Sequence, residues 1–550
     1  MKQPRRFGRT WRLACLVLAL SAPIGAAAQD GGSGSIPSFR ELEAAGALIG
    51  DIRINNRDIF DLDDRRENAW PYRLANTLHI RTRPGVVRRA LLFKSGEPVS
   101  ARLIEETERL LRDNDYLYDV RIEPIAYHDG RVDIEVTTRD TWTLDPGFRF
   151  SRQGGSNSST IGLKEHNLLG TGITVGAGRV SDVDRTGNEY SIWQSRAFGD
   201  WVTIGYVHGS FDDGRSDFFT LARPFYALDT RWAAGVSGST GRRIDSIYND
   251  GTIVSQYQHA SDRGEVFGGW SKGLVDGWTH RYSVGLKYED DTYSTVPSLV
   301  APSQLPENLR LVAPFFRYEV IQDDYEKLKN RNQIERVEYF ALGFQSTLEL
   351  GRATTALGST RDLWLYDATV SDGFTLSPGD NVLVSAYANG RYGTAGGENQ
   401  TLGAIGKYYN QLHGRYLFFA SLSGDTLANG DAASQLQLGG DSGLRGYPLR
   451  YQTGTHRVVL SLEERVYSDW YPLRLFRIGA AAFVDVGRAW GGENQNVANP
   501  GWLSDVGIGL RILNSRSARG GMMHIDLAFP LNADSSIKSY QILFRTKSNF

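Results

Sequence analysis

Several segments near the C-terminus alternate between apolar and polar side chains with a period of two. In residues 477–487 the even positions are all apolar, whereas the odd positions include Arg477, Asp485 and glycines. A β-strand sends successive side chains to opposite faces, so this pattern predicts a transmembrane strand between lipid and a polar lumen. Asp485 is then expected inside a barrel, where a buried carboxylate needs a cationic partner, and Arg445 is the candidate.

The same alternation predicts further strands. It is found in residues 457–466, 505–512, 523–529 and 540–550, with Glu464 as an exception. From residue 143 onward, short alternating segments recur between Gly, Asp and Asn turns and give roughly 16 to 20 candidate strands. A soluble β-sandwich shows the same alternation, so the period alone leaves both architectures open.

Composition narrows the class of protein. Of the 550 residues 41% are hydrophobic, yet beyond the N-terminus no run of about 18 apolar residues is found, so a helical membrane span is not expected. The 61 Gly, 26 Tyr, 24 Phe and 12 Trp residues suit many short strands with aromatic girdles. The net charge of -2 predicts no nucleic-acid partner.

The N-terminus has the pattern of an export signal. Basic residues precede an apolar core, and Ala26-Ala27-Ala28 forms a cleavage site of the A-x-A type. We therefore expect residues 1–28 to be a signal peptide and residues 29–47 to be a flexible leader. The single cysteine, Cys15, lies in the signal peptide, so the mature chain is expected to form no disulfide.

Residues 48–142 have the character of a small α/β domain. Ser100 is a suitable N-cap for a helix that carries Leu103, Ile104, Leu110 and Leu111 on one face. Two alternating strands follow, in residues 118–122 and 131–136.

Three segments of this domain carry a family resemblance: Leu92–Glu97, Glu106–Arg112 and Tyr116–Val120. They are similar to the consensus of the polypeptide-transport-associated (POTRA) domain. Two features outside this domain resemble a wider family: the motif Leu444-Arg445-Gly446-Tyr447 and the terminal aromatic residue Phe550. As a whole, the chain resembles the BamA/TamA-type barrels that fold or translocate proteins at the outer membrane of Gram-negative bacteria, whose relatives include two-partner secretion transporters.

The resemblance implies an architecture. It implies one POTRA domain at 48–142 and an all-β transmembrane barrel of about 16 antiparallel strands at 143–550. Surplus candidate strands are then expected as hairpins outside the bilayer, with 242–262 and 290–307 as insertions. The general assembly factor carries several POTRA domains, so a single one implies a dedicated client.

The resemblance also implies a functional loop. In that family a long loop folds into the lumen and carries an Arg-Gly-Phe/Tyr motif at its tip. This places the loop around 436–455, with Arg445, Gly446 and Tyr447 at the tip.

Acidic residues of the wall are the expected partners of that tip. The family's Phe-x-Asp-x-Gly motif matches Phe483, Asp485 and Gly487, and the alternation also points Glu463 inward. We expect these carboxylates to hold the Arg445 guanidinium and so to lock the loop.

The end of the chain is similar to the signal by which outer-membrane barrels are recognised for insertion. The residues that form it are Tyr540, Ile542, Phe544 and Phe550.

No catalytic, metal or cofactor site is expected. Gly440-Asp441-Ser442-Gly443 resembles the nucleophile signature of serine proteases, but Leu444 follows it and no partner motif for a triad accompanies it. The histidines show no metal-ligand spacing. The sequence therefore favours a protein that is not an enzyme and needs no cofactor.

These patterns predict an outer-membrane protein that inserts or translocates client polypeptides. Its expected partners are outer-membrane lipids, an unfolded client that the periplasmic POTRA domain engages, and a further protein in the periplasm or membrane. Two alternatives stay open: a passive porin or receptor on the same scaffold, and a secreted β-rich soluble enzyme. Deleting residues 48–140 separates the first two, and solubility without detergent identifies the third.

Overall fold

The computed structural model describes residues 36–431, 434–492, 500–518, 521–535 and 537–547. At positions 147–149, 412 and 547 it describes the backbone only. The predicted signal peptide, residues 29–35 of the predicted leader and Phe550 lie outside the described residues.

A small α/β unit, here called the N-terminal unit, precedes the barrel. Its elements are α1 (Phe39–Ala44), β1 (Leu48–Arg57), α2 (Trp70–Leu78), α3 (Pro84–Arg88), α4 (Ala101–Arg112), β2 (Leu117–His128) and β3 (Arg131–Asp140). The sheet has the order β1-β3-β2, with β1 parallel and β2 antiparallel to β3. Apolar side chains of the sheet pack against α1, α3 and α4. Within the described residues, no helix is long and apolar enough to cross a membrane.

The folded unit begins earlier than the sequence predicts. Ser38 and Glu41 form a capping box at the start of α1, and Leu42 is buried in the core. The flexible leader predicted for 29–47 is therefore wrong from Ser38 onward, because a capped, amphipathic turn follows the Gly/Ser-rich stretch.

The remaining strands build the barrel and two insertions. The first barrel strands are β4 (Leu144–Gln153), β5 (Ser156–Glu165), β6 (Ile173–Ser181), β7 (Thr186–Ala197), β8 (Val202–Phe211), β9 (Gly214–Arg223), β10 (Trp232–Asn249), β11 (Thr252–Val275), β12 (Trp278–Ser294) and β13 (Leu309–Gln322). An inserted hairpin consists of β14 (Tyr325–Lys329) and β15 (Val337–Ala341). The wall continues with β16 (Gln345–Ala353), β17 (Leu363–Ser377), β18 (Asp380–Gly393), β19 (Gly396–His413) and β20 (Tyr416–Ala428). A loop then carries β21 (Leu436–Leu438) and β22 (Gln452–Gly454), and the wall ends with β23 (His456–Tyr467), β24 (Phe476–Trp490), β25 (Leu503–Asn514), β26 (Met522–Pro530) and β27 (Gln541–Lys547).

Within the described residues the closed antiparallel barrel has 20 strands, so the predicted count of about 16 is wrong. Residues 242–262, predicted as a hairpin outside the bilayer, form the joined ends of β10 and β11, which pair from Trp232–Trp270 to Asn249–Thr252. Residues 290–307 cover the end of β12 and part of its connection to β13. A barrel accepts additional antiparallel pairs by widening, so the surplus strands entered the wall.

The outer surface of the barrel is apolar. Large apolar side chains stay exposed around the wall, among them Ile161, Ile192, Val236, Val266, Val284, Phe316, Leu350, Leu402, Leu422 and Ile508. One aromatic row near one end joins Trp232, Trp270, Tyr282 and Tyr318, and Trp364 pairs with Tyr392 near the other. An exposed apolar surface of this extent marks contact with lipid or protein.

The N-terminal unit packs against one end of the barrel, here called the proximal end; the opposite end is called distal. Leu228 N, between β9 and β10, donates to Glu106 Oε1 at 2.8 Å. Arg516 Nη2, between β25 and β26, donates to Glu67 Oε1 at 2.7 Å. The unit therefore contacts proximal connections in both the first and the last part of the barrel chain.

The barrel closes between β27 and β4. Within the described parts of these strands a single position is paired, Phe544 with Arg152. The neighbouring strands β26 and β27 pair from Met522–Lys547 to Ala528–Gln541. Because each ladder hydrogen bond contributes roughly 1 kcal/mol net, this seam is weaker than the adjacent junction.

Candidate functional site

Residues 434–455 of the connection between β20 and β23 fold from the distal end into the lumen. Its strands β21 and β22 pair with each other. Its side chains Leu438, Leu444, Tyr447 and Tyr451 are buried with residues of the inner wall. We call this segment the lumenal loop.

Arg445 of the lumenal loop forms a two-pronged ion pair with Asp485. Nε donates to Oδ2 at 2.7 Å and Nη2 donates to Oδ1 at 2.9 Å. Nη1 donates to Glu463 Oε2 at 2.8 Å, and the guanidinium carbon lies 3.3 Å from the centroid of the Phe483 ring. Arg445, Glu463 and Asp485 are 3%, 4% and 0% exposed, so these charges depend on each other for solvation.

Burial and charge act in opposite directions on Arg445. Burial opposes the charged guanidinium, but the carboxylates of Asp485 and Glu463 outweigh burial and hold the pKa of Arg445 well above its ordinary value. The side chain is therefore a permanent cation at physiological pH.

Strand register explains why these side chains meet. Ser461, Asp485 and Asp505 form one row across β23, β24 and β25. Glu463 and Phe483 form a neighbouring row, two residues closer to the proximal end. Side chains two residues apart share a face and lie roughly 7 Å apart along a strand, which one guanidinium can bridge.

The two residues after Arg445 fix the tip to the next strands. Gly446 N donates to Asp505 Oδ2 at 2.9 Å. The Tyr447 hydroxyl contacts Ser504 O at 3.1 Å and Asn532 Oδ1 at 2.6 Å. The tip is thus joined to β23, β24, β25 and the segment after β26.

Replacing Gly446 by alanine is expected to displace the tip. The new Cβ would lie 2.7 Å from Asp505 Cβ and 3.0 Å from Pro530 N, and both belong to the wall. Overpacking of this kind costs about 1–3 kcal/mol, which a denaturant titration in detergent measures. The matched control is Gly406→Ala on β19, where no atom lies within 4 Å of the Cβ position. Equal stability of Gly446→Ala and wild type would contradict the tight fit.

Glu463 connects Arg445 to a wider set of buried charges. Its Oε1 accepts hydrogen bonds from Arg465 Nε and Arg511 Nη2, both at 2.9 Å. Arg511 Nη1 donates to Asp526 Oδ1 at 2.6 Å, and Asp526 Oδ2 lies 3.6 Å from Arg445 Nη1. Three arginines therefore surround one glutamate. Among the residues that the structure describes, no group of three or more His, Cys, Asp or Glu side chains could hold a metal ion.

The lumenal loop also reaches the first strands of the barrel. Arg450 donates to both oxygens of Asp184, in the turn between β6 and β7, at 2.7 and 2.6 Å. These hydrogen bonds are the main cause that lowers the pKa of Asp184. At Gly154, in the turn between β4 and β5, a Cβ would overlap Leu449 N. The loop therefore contacts the barrel on both sides of the seam.

The predicted site residues fall into two groups. Arg445, its two acids and the two following residues meet as described above. Gly487 lies apart from these ion pairs: a Cβ there would lie 2.9 Å from Val458 O and 3.4 Å from Leu438 Cδ2. Its lack of a side chain makes room for Leu438 of the lumenal loop.

The sequence analysis did not assign four residues of the network to the site. They are Arg465, Asp505, Arg511 and Asp526. Each occupies an inward position in the alternation, which was a usable signal, but nothing in the sequence alone pairs it with a partner on another strand.

Part of the predicted C-terminal signal lies on the outer surface. Tyr540 and Ile542 are exposed, whereas Gln541 and Leu543 are buried. Phe544 lies at the seam, where its ring centroid is 6.0 Å from that of Phe150. A role of these residues in insertion stays a prediction.

Comparison with known proteins gives likenesses among solved structures. No protein-family model matches the sequence, and no curated protein matches it. The chain is similar to BamA from Haemophilus ducreyi lacking POTRA domains 1–3, with 11% identity, coverage of 90% of this chain and 84% of that chain, and a TM-score of 0.38. For CdiB from Acinetobacter baumannii these values are 13%, 91%, 73% and 0.42, and for CdiB from Escherichia coli they are 12%, 91%, 76% and 0.43. Likenesses at this level carry no functional conclusion.

Proposed function

We propose that this chain is an outer-membrane β-barrel that inserts or translocates client polypeptides. The observation that carries the proposal is the lumenal loop, which buried ion pairs of Arg445 hold beside a seam with a single described paired position. The lumenal loop thereby connects the last strands of the wall with the turn between β6 and β7, across the seam where the ladder is short. The resemblance of the same loop to BamA/TamA-type barrels supports this assignment.

The outer surface supports a membrane location. Apolar side chains cover the wall between aromatic rows, as in barrels surrounded by lipid. Their exposure to water would cost about 25 cal/mol for each Å² of apolar surface. Outer-membrane lipids are therefore the proposed surroundings of the barrel.

The proposed chemistry is strand pairing. When β27 and β4 separate, each strand presents unpaired backbone N–H and C=O groups. An extended client segment can complete these hydrogen bonds by adding as a further strand. This step breaks no covalent bond and requires no cofactor, so the proposed role is not enzymatic.

Residues 48–142 of the N-terminal unit are the proposed POTRA domain in the periplasm. Its sheet order leaves β1 and β2 as edge strands, and the unit lies at the proximal end of the barrel. An unfolded client could pair with such an edge before it reaches the barrel. A further periplasmic or membrane protein is a proposed partner.

A passive channel is the second candidate. The 20 strands favour it, because barrels of about 16–18 strands already leave an aqueous channel. The lumenal loop opposes free passage in the present conformation.

Removal of the N-terminal unit separates the two functions. We expect the outer membrane of cells that lack the protein to lose client proteins, and we expect the full chain to restore them. The chain without residues 48–142 is expected not to, because client capture is lost. Quantitative proteomics of outer membranes and culture medium measures this.

The truncated chain tests client capture only if its barrel is folded. A heat-dependent shift of its electrophoretic mobility verifies this. An unchanged proteome together with altered uptake of small solutes would contradict client handling and favour the passive channel.

A further inference from the structure

The proximal connection between β13 and β16 is unusually long. Other proximal turns, such as 276–277 and 378–379, are tight, as is usual for membrane barrels. Residues 323–344 instead contain the hairpin β14–β15, which pairs from Tyr325–Ala341 to Lys329–Val337. We call this segment the proximal hairpin.

The tip of the proximal hairpin lies across the mouth of the barrel. Arg331 is buried, and its guanidinium donates to Asn381 Oδ1 on β18 at 3.0 Å and to Gln411 Oε1 on β19 at 2.6 Å. Arg465 Nη1 on β23 donates to the Arg331 carbonyl at 3.1 Å. In the barrel order β23 stands five strands beyond β16, so the hairpin reaches well past its own neighbours.

The apolar side of the proximal hairpin packs against the inner wall. Phe340 meets Tyr409 edge-on, with ring centroids 5.6 Å apart. The buried cluster consists of Ile334, Phe340 and Leu342 of the hairpin region with Tyr409, Leu417, Phe419, Tyr467, Leu513 and Met522 of the wall. Such burial holds the hairpin in one position, because apolar surface is favoured away from water.

Two neighbouring residues of β23, Arg465 and Glu463, connect the two segments that enter the lumen. Arg465 binds the Arg331 carbonyl of the proximal hairpin and, through Nε, Glu463 at 2.9 Å. Glu463 in turn binds Arg445 of the lumenal loop at 2.8 Å. The distal and proximal insertions are therefore linked through two buried side chains.

The N-terminal unit contacts the outer side of the proximal hairpin. The Arg109 guanidinium lies 3.7 Å from the centroid of the Tyr325 ring. Lys327 Nζ donates to Glu108 Oε2 at 3.3 Å. Arg336 donates to the main-chain carbonyl at the start of β2 at 3.2 Å. A displacement of the unit would therefore act directly on the hairpin.

We propose that the proximal hairpin is a second closure of the lumen, in series with the lumenal loop, and that the N-terminal unit holds it shut. The barrel is then a gated channel that conducts only when both insertions leave the lumen. Displacement of the N-terminal unit, as when it engages a polypeptide, releases the proximal closure. This inference rests on the proposed membrane barrel.

Conductance of the purified mature chain in planar bilayers tests the closure. Leu342 N donates to Asp324 O at 2.9 Å, so a short Gly-Ser link can replace residues 325–341 between β13 and β16. Arg445→Ala releases the distal insertion. Each change alone is expected to leave the current near that of wild type, whereas both together are expected to raise it several-fold, toward that of porins of about 16–18 strands.

The outcomes separate the hairpin from the membrane function. A double variant that inserts, shows a heat-dependent mobility shift and stays closed overturns the second closure but leaves the membrane barrel intact. A fully open pore after hairpin deletion alone overturns the series arrangement. A wild-type chain that never enters bilayers contradicts the proposed membrane function and this inference together.

A charge reversal tests whether contacts with the N-terminal unit hold the proximal hairpin in the closed position. In the Arg445→Ala background, Lys327→Glu sets two carboxylates against each other at Glu108 and is expected to raise the open probability several-fold. The matched control is Lys329→Glu, the same change on the same strand, at the rim of a cavity of about 440 Å³ between the hairpin and the unit. Equal open probabilities for the two variants overturn the coupling.

Discussion

Replacing Arg445 by alanine will lower the free energy of unfolding of the barrel by about 3–5 kcal/mol, because it leaves buried carboxylates without their cation. Asp485 loses both prongs of its ion pair, and Glu463 loses one of three arginine partners. Arg445→Lys is expected to recover part of the loss, since an ammonium cannot reproduce the planar two-pronged contact. Urea titration in detergent, followed by electrophoretic mobility, measures all three proteins.

Ser442→Ala is the matched control for Arg445→Ala. Its hydroxyl lies in the same loop and contacts only the adjacent Asp441 among the hydrogen bonds described. We expect it to unfold like wild type. An Arg445→Ala protein with unchanged stability and unchanged client delivery would contradict the role of the ion pair as a lock.

Replacing Glu463 by glutamine will destabilise the barrel by at least about 3 kcal/mol, although the side chain keeps its size. The change removes the negative charge that Arg445, Arg465 and Arg511 share. Their repulsion is then balanced by fewer acids in a site that excludes water. The same urea titration measures the loss.

The adjacent residue provides a stringent control for this prediction. Glu464 has the same side chain but lies on the outer face, in the row of Phe418 and Ala482. We expect Glu464→Gln to leave stability within about 0.5 kcal/mol of wild type. Equal losses for the two glutamine variants would show that the buried network contributes nothing beyond the loss of a carboxylate.

The alternation of apolar and polar residues predicted on which side of a strand each side chain lies. The alternation placed Glu463 and Asp485 inside because side-chain direction in a strand depends only on parity. It equally placed Arg465, Arg511 and Asp526 inside. Which of these charges meet depends on the register between strands, and register is fixed by the whole sheet and its turns. That is why Asp505, beside Asp485, could not be assigned from the sequence.

The proximal hairpin shows a second limit. Residues 325–329 and 337–341 form strands, but at five residues each they are shorter than the roughly 9–11 residues that cross a bilayer. Their length was the available signal. The predicted strand count was too low because it followed the 16 strands that the resemblance implied, whereas the alternation itself allowed up to 20.

The central claim is that lipid surrounds this barrel, and a single labelled position tests it most directly. Ile508 is 60% exposed on the outer face of β25, and the mature chain is expected to carry no other cysteine, so Ile508→Cys accepts one fluorophore. In vesicles we predict strong quenching by nitroxide groups on lipid acyl chains and little quenching by aqueous iodide. Quenching by iodide alone, with the protein recovered in the aqueous fraction, would contradict the claim.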